Sequence, residues 1–217
     1  NMANFMDRLK ELYGDGVIVI VEEETPYGFL KSRELTYKNI IEIINRMGNS
    51  FKEAGVERGE NVIVYSRNRI ELALATYALF KIGAIAIPLN YMLKAKEVSY
   101  ISEDCKAKAI FTDRHVFNNN IKELSVIPYV KKWLFHEREE NTPKGAISFI
   151  SMMDKASPHL SPVDMKENDV AGIFYTSGTT GFPKGALMTS KNLTRNHIWG
   201  ALLLNLILPS SRKNDIA

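Results

Sequence analysis

A chain of 217 residues, 45% apolar and 24% charged, is long enough to bury a substantial hydrophobic core and is composed like an ordinary globular domain. Its net charge of +3 points to neither nucleic acid nor an anionic membrane as a partner. The single cysteine, Cys105, excludes an internal disulfide and a cysteine-built metal site, and fits a reducing, cytoplasmic setting.

The first six residues lack a basic stretch followed by an apolar one, so no secretion signal is expected. The run Val17 to Val21 reads as a short strand, followed by a turn near Pro26-Tyr-Gly28. An amphipathic helix comes next. Thr36 is placed to cap it, Ile40, Ile44, Met47, Phe51 and Ala54 line one face at spacings of 4, 3, 4 and 3, and Gly55 stops it. Asn61 to Tyr65 is a buried strand by composition. Ile70 to Ile82 is apolar nearly all round, which predicts a buried helix ended by Gly83. Strands at Ala84–Pro88, Lys108–Thr112 and Val130–Phe135 alternate with helices near Lys96–Glu103 and His115–Leu124.

Such alternation predicts parallel pairing through crossovers: an α/β fold with an open, twisted, mostly parallel sheet and helices on both faces. Ligands of such sheets sit beyond the carboxyl ends of the strands. Residues 1–135 read as a first α/β unit. The stretch 136–169, with Glu137-Arg-Glu-Glu140 and three prolines, reads as a connection carrying a short helix near Ile147–Lys155. Residues 170–217 hold a strand, a glycine- and hydroxyl-rich loop and a helix from Lys191 to Leu208. The apolar run Ile198–Leu208, broken by Asn205, is well short of the ~18 residues that span a bilayer, so no transmembrane segment is expected.

The loop carries the chemistry. In Tyr175-Thr-Ser-Gly-Thr-Thr-Gly-Phe-Pro-Lys-Gly185, four hydroxyls (Thr176, Ser177, Thr179, Thr180) lie within five residues. Gly178 and Gly181 allow close backbone approach to a ligand, and Lys184 adds a positive charge. Free amides, hydroxyls and a lysine suit a polyphosphate. On residues alone, the segment is either such a cradle or an ordinary polar loop. A Walker A loop is excluded by spacing: counted from Gly178, Pro183 stands where its second glycine belongs and Gly185 where Ser or Thr is required. His115, His136, His159 and His197 show no metal-ligand spacing.

The segment from Tyr175 to Gly185 resembles the signature loop of the adenylate-forming (AMP-binding) superfamily. Leu35-Thr-Tyr37, the stretch Leu79 to Asn90 and the unit Glu97 to Asp113 are similar to further motifs of that family, so the resemblance covers roughly residues 35–205. Leu89-Asn-Tyr-Met-Leu-Lys94 looks like the acyl-CoA or aryl-CoA ligases. The resemblance implies a carboxylate–CoA ligase of the fatty acyl type, with ATP, Mg and CoA as cofactor and co-substrates and an acyl-adenylate intermediate. Other adenylate-forming enzymes, such as an aryl-CoA ligase or a peptide synthetase adenylation domain, and a short non-catalytic nucleotide-binding protein are the alternatives. By the same resemblance, Thr176 helps hold Mg, while Ser177, Gly178, Thr179, Thr180, Gly181 and Lys184 embrace the β- and γ-phosphates. Ser190 stands where many members carry His. The family's later adenine, ribose and catalytic-lysine motifs do not occur, so the chain is expected to be an N-terminal fragment, inactive alone, with no residue assigned to catalysis.

Overall fold

The computed structural model describes residues 1–21, 23–176 and 182–196. After a 3-10 turn, helix α1 (Phe5–Tyr13) leads into an antiparallel ribbon, β1 (Val17–Ile20) and β2 (Glu34–Thr36). The apolar run of β1 does form a strand, but outside the core: Ile20 is 60% exposed.

Helix α2 (Tyr37–Glu53) starts where the capping signal places it. The Thr36 hydroxyl accepts from the Asn39 amide at 3.2 Å, and the Asn39 side chain accepts in return from the Thr36 amide at 3.1 Å. Thr36→Ala should therefore lower stability by about 1 kcal/mol, read as a shift in urea midpoint at constant slope. Ile40, Ile44, Met47, Phe51 and Ala54 are all buried, and Gly55 closes the helix with φ +77°.

The main body follows as β3 (Asn61–Tyr65), α3 (Ile70–Ile82), β4 (Ile85–Pro88), α4 (Ala95–Asp104), β5 (Ala109–Thr112), α5 (Arg114–Asn120) and β6 (Lys132–Phe135). It continues with β7 (Ile147–Ser148), α6 (Phe149–Lys155), β8 (Val170–Thr176) and β9 (Lys184–Thr189). Gly83 ends α3 in the left-handed conformation, as its position implies.

The seven strands β3 to β9 form one sheet in the order β7-β6-β5-β3-β4-β8-β9. Every neighbouring pair is parallel except β8 and β9. β3 shows why its run is apolar throughout. Val62 and Val64 pack into a cluster with Ile44, Met47, Phe51 and Leu79 from α2 and α3, whereas Ile63 and Tyr65 pack on the other face with Val98, Ile101 and Phe117 from α4 and α5. The expected α/β sheet with helices on both faces is what forms.

Three strands were not foreseen: β2, which pairs with β1, and two in the main sheet. Residues 136–169 supply β7 at one sheet edge as well as α6, whose Phe149 ring packs tilted against Phe51 and edge-on against Phe111. At the other edge, β9 follows the loop directly. Among the described residues, no helix is long and apolar enough to cross a membrane.

One polar contact is sunk in the helical layer. The Lys81 ammonium, with a side chain only 2% exposed, bonds Asp7 Oδ1 at 2.6 Å and ties α1 to α3. Burial pulls the lysine below its ordinary pKa, and Asp7 opposes that pull.

Candidate functional site

The hairpin of β8 and β9 holds the described part of the predicted phosphate loop. β8 runs beside β4, where Gly172 lets the backbones close up: a Cβ there would meet the Ala86 carbonyl oxygen at 3.2 Å. At the far end Thr176 pairs with Lys184 across the antiparallel ladder. Directly opposed residues of such a pair share one face of the sheet. Both are exposed, so a hydroxyl and an ammonium stand side by side where the chain leaves the sheet. Ser177, Gly178, Thr179, Thr180 and Gly181 lie outside the described residues, as do His197, Trp199 and most of the expected helix Lys191–Leu208.

β9 changes how the loop is understood. Its sequence, Lys-Gly-Ala-Leu-Met-Thr, is poor in β-branched residues and its first four positions are exposed, so no strand signal precedes the pairing itself. The loop joins two antiparallel strands; the expected helix begins only after them. Residues 190–196 are helical. Thr189 caps that helix as Thr36 caps α2: its hydroxyl accepts from the Asn192 amide at 3.3 Å, and Asn192 Oδ1 accepts from the Thr189 amide at 3.1 Å. The Thr-x-x-Asn spacing was the available signal. Ser190 is 1% exposed, and its hydroxyl accepts from the Met2 amide at 3.2 Å. This residue therefore fastens the N-terminus to the second half of the chain.

A second polar region lies beyond the carboxyl end of β3, where the connections turn to opposite sides and α/β sheets open a crevice. A cavity of about 650 Å³ is lined there by Tyr27, Arg67, Arg69, Glu71, Tyr91 and His115, among others. Beside it, Asp113 Oδ2 accepts from the Ser66 hydroxyl at 2.9 Å and the Arg67 amide at 3.1 Å, and Oδ1 accepts from the Val116 amide at 3.0 Å. Burial alone would raise the Asp113 carboxyl. The amides, the Ser66 hydroxyl and the Arg67 guanidinium outweigh burial and hold it below the ordinary carboxylate value.

A carboxyl with a depressed folded-state pKa contributes stability above the unfolded value and loses it as pH falls through the folded one. Asp113→Asn should therefore lower stability at neutral pH and flatten its acid decline. An acid limb as steep as the parent's in urea melts between neutral and acid pH would contradict that assignment.

His136 is half-buried between Phe111 and Tyr27, with the Tyr27 hydroxyl 3.2 Å from its Nε2. Burial holds its imidazole below the ordinary value. Among the described residues, no cluster of three or more His, Cys, Asp or Glu is placed to hold a metal ion. Cys105 is buried, and burial, with the Asp104 charge next, pushes its thiol up to about 12. It remains a protonated core residue at neutral pH. Within Glu137-Arg-Glu-Glu140, Glu139 and Glu140 are exposed, whereas Arg138 pairs with Asp154 at 3.1 Å and donates to the Pro26 carbonyl at 2.8 Å.

Comparison with known proteins covers both regions. The family model for the AMP-binding enzymes matches residues 17–207. A 3-oxocholest-4-en-26-oate–CoA ligase of Rhodococcus rhodochrous is 34% identical over 166 residues, 75% of this chain and 30% of the relative. A crotonobetaine/carnitine–CoA ligase of Citrobacter koseri is 29% identical over 207 residues, 89% of this chain and 37% of that protein. Among solved structures, an anthranilate CoA ligase in complex with anthranoyl-AMP superimposes with a TM-score of 0.80 at 25% identity, covering 93% of this chain and 37% of its own. A long-chain-fatty-acid–CoA ligase from Archaeoglobus fulgidus gives a TM-score of 0.78 at 27% identity, covering 92% and 38%. The chain thus spans between 30% and 38% of the length of these relatives.

Proposed function

The chain belongs to the AMP-binding enzymes, and from that premise we propose that it is the N-terminal part of an ATP-dependent carboxylate–CoA ligase acting on fatty acids through an acyl-adenylate. The observation that carries the reading is the opposed pair Thr176 and Lys184 at the mouth of the hydroxyl-rich loop. The relatives support the reaction class, since each joins a carboxylate to CoA by name, although their acids range from a steroid acid to carnitine.

In the proposed reaction a carboxylate oxygen attacks the α-phosphorus of ATP, and the bond to the bridging oxygen of pyrophosphate breaks. The CoA thiol then displaces AMP. Negative charge grows on the departing pyrophosphate, where fixed donors and a cation are most effective. Lys184 supplies a point charge beside the β- and γ-phosphates. Ser177, Thr179 and Thr180 supply hydroxyls, and Gly178 and Gly181 let the backbone amides come close. The Thr176 hydroxyl, exposed at the end of β8, is an uncharged oxygen donor of the kind Mg accepts next to phosphate oxygens. Bound Mg would neutralise part of the triphosphate charge. No residue of this chain is proposed to transfer a proton.

Adenylation needs the α-phosphorus, the carboxylate and the metal held together, and this chain supplies one wall of such a site. The chain alone is therefore proposed to be inactive. Fatty-acid-dependent exchange of pyrophosphate into ATP tests both statements. Exchange is expected from the longer enzyme with fatty acids, and only background from these 217 residues. Exchange by the longer enzyme with amino acids alone would instead indicate a peptide synthetase domain, and robust exchange by the short chain would refute its inactivity.

A further inference from the structure

The β8–β9 hairpin raises a mechanical question. β9 is an edge strand, paired only with β8 among the described strands, and its first four residues are exposed. Something must fix the direction in which Thr176 and Lys184 leave the sheet. Two side chains flanking the loop answer this, and both reach the same helix. On the entry side, the Tyr175 hydroxyl donates to Asp104 Oδ2. On the exit side, the Phe182 ring lies on the Tyr100 ring, centroids 5.0 Å apart and tilted by 37°. Tyr100 and Asp104 are four residues apart on α4, so they form neighbouring points on one helix face. The helix is itself anchored, since Val98 and Ile101 are fully buried in the core behind it.

Two further observations mark this contact as built. Asp104 is the last residue of α4, where the helix dipole disfavours a negative charge. Within the helix alone it has no reason to be acidic; facing the Tyr175 hydroxyl it does. Gly185 is opposite Tyr175 in the ladder, and a Cβ there would lie 3.0 Å from Tyr175 Cζ and 2.8 Å from Ile173 Cγ2. The last glycine of the motif is thus required by the tyrosine ring that crosses it on its way to Asp104. An aromatic side chain laid over a cross-strand glycine is a known device for pinning register.

We infer that Asp104 and Tyr100 of α4 are positioning residues that clamp both ends of the phosphate loop, through Tyr175 and Phe182, and so set where Thr176 and Lys184 present their polar groups. This rests on the reading of the loop as the ATP-phosphate site. Burial first, and then the Asp104 bond, push the Tyr175 phenol above its ordinary pKa, so it stays a neutral donor to the carboxylate across the physiological range.

Asp104→Ala, Asp104→Asn and Tyr175→Phe in the 217-residue chain test the clamp. Backbone hydrogen exchange is followed across residues 174–186, with α3 as the internal reference, and pyrophosphate affinity is titrated by phosphorus NMR. Asp104→Ala and Tyr175→Phe should each speed exchange of the hairpin about threefold to tenfold, the worth of one hydrogen bond, with α3 unchanged. Pyrophosphate affinity should fall by a similar factor. Asn at position 104 keeps an acceptor for the phenol and should restore both readouts. Tyr175→Phe keeps the ring over Gly185, so it stays informative if Asp104→Ala fails to fold. Parental exchange in Tyr175→Phe, or an Asn variant as loose as the Ala variant, would overturn the clamp. Failure of the loop reading looks different: pyrophosphate would not bind, or would bind equally to Lys184→Ala, while the exchange data still decide for or against the clamp.

Discussion

Replacing Asp7 with Ala should destabilise the chain by about 3–5 kcal/mol, the effect expected when one partner of a buried ion pair is removed. Lys81 sits in the last turn of α3 with its side chain 2% exposed, and its ammonium lies 2.6 Å from Asp7 Oδ1. Without Asp7, whose side chain is 29% exposed, the ammonium would be left unpaired in a largely apolar layer. The pair is not ideally satisfied, because Asp7 Oδ2 has no hydrogen-bond partner. For that reason Asp7→Leu combined with Lys81→Met should recover most of the loss, which a simple count of ion pairs would not anticipate.

The pH dependence has a definite sign. In the Asp7→Ala protein, Lys81 has its folded-state pKa depressed further, so the unfolded state binds the extra proton. Stability must then rise with pH from that depressed value towards the ordinary lysine one. Urea unfolding at neutral and alkaline pH would show the deficit shrinking. A loss below about 1 kcal/mol, the level of exposed pairs, would mean that the ammonium escapes to solvent.

The parts of the fold that could be read from sequence are those governed by neighbours along the chain. β3 and α3 fall at their expected residues because Gly83 can adopt the left-handed conformation that ends α3, and because a run buried on both faces has no polar interruptions. α2 was readable from Thr36 and the spacing of its apolar face. What could not be read depends on pairing at a distance. β7 has two residues and exists only because Leu134 and Phe135 offer it an edge. β9 is a strand because β8 is already there; nothing in Lys184–Thr189 favours extended backbone more strongly than a loop. In β1 the apolar run predicted the strand but not its exposure, since it pairs only with β2, apart from the main sheet.

The same division applies to the site. The hydroxyls, glycines and lysine of the loop are contiguous, so a candidate phosphate site can be proposed from sequence alone. The clamp from α4 and the contacts of Asp113 with Ser66 and Arg67 join residues between 46 and 82 positions apart, so only the folded sheet brings them together.

Lys184→Ala, made in the proposed longer enzyme, should slow the proposed adenylation step by about 10²- to 10³-fold, the magnitude found when one fixed stabiliser of transition-state charge is removed. Lys184 is exposed and stands on the first residue of β9, opposite Thr176, so its ammonium extends from a paired backbone. In the proposed site, that placement would keep it beside the phosphates during bond breaking, when charge on the leaving pyrophosphate is greatest. The loss should appear in kcat for pyrophosphate exchange, with little change in KM for the fatty acid, because the carboxylate is not what Lys184 contacts.

Lys184→Arg keeps the charge but spreads it over a planar fork, and should recover only part of the rate. The folded chain should hardly notice either change, since an exposed side chain at a strand end contributes within about 0.5 kcal/mol. A slow enzyme with a parental melting temperature would therefore locate the defect in the reaction itself. An unchanged exchange rate would remove Lys184 from the proposed site and leave Thr176 and the loop hydroxyls to account for phosphate binding.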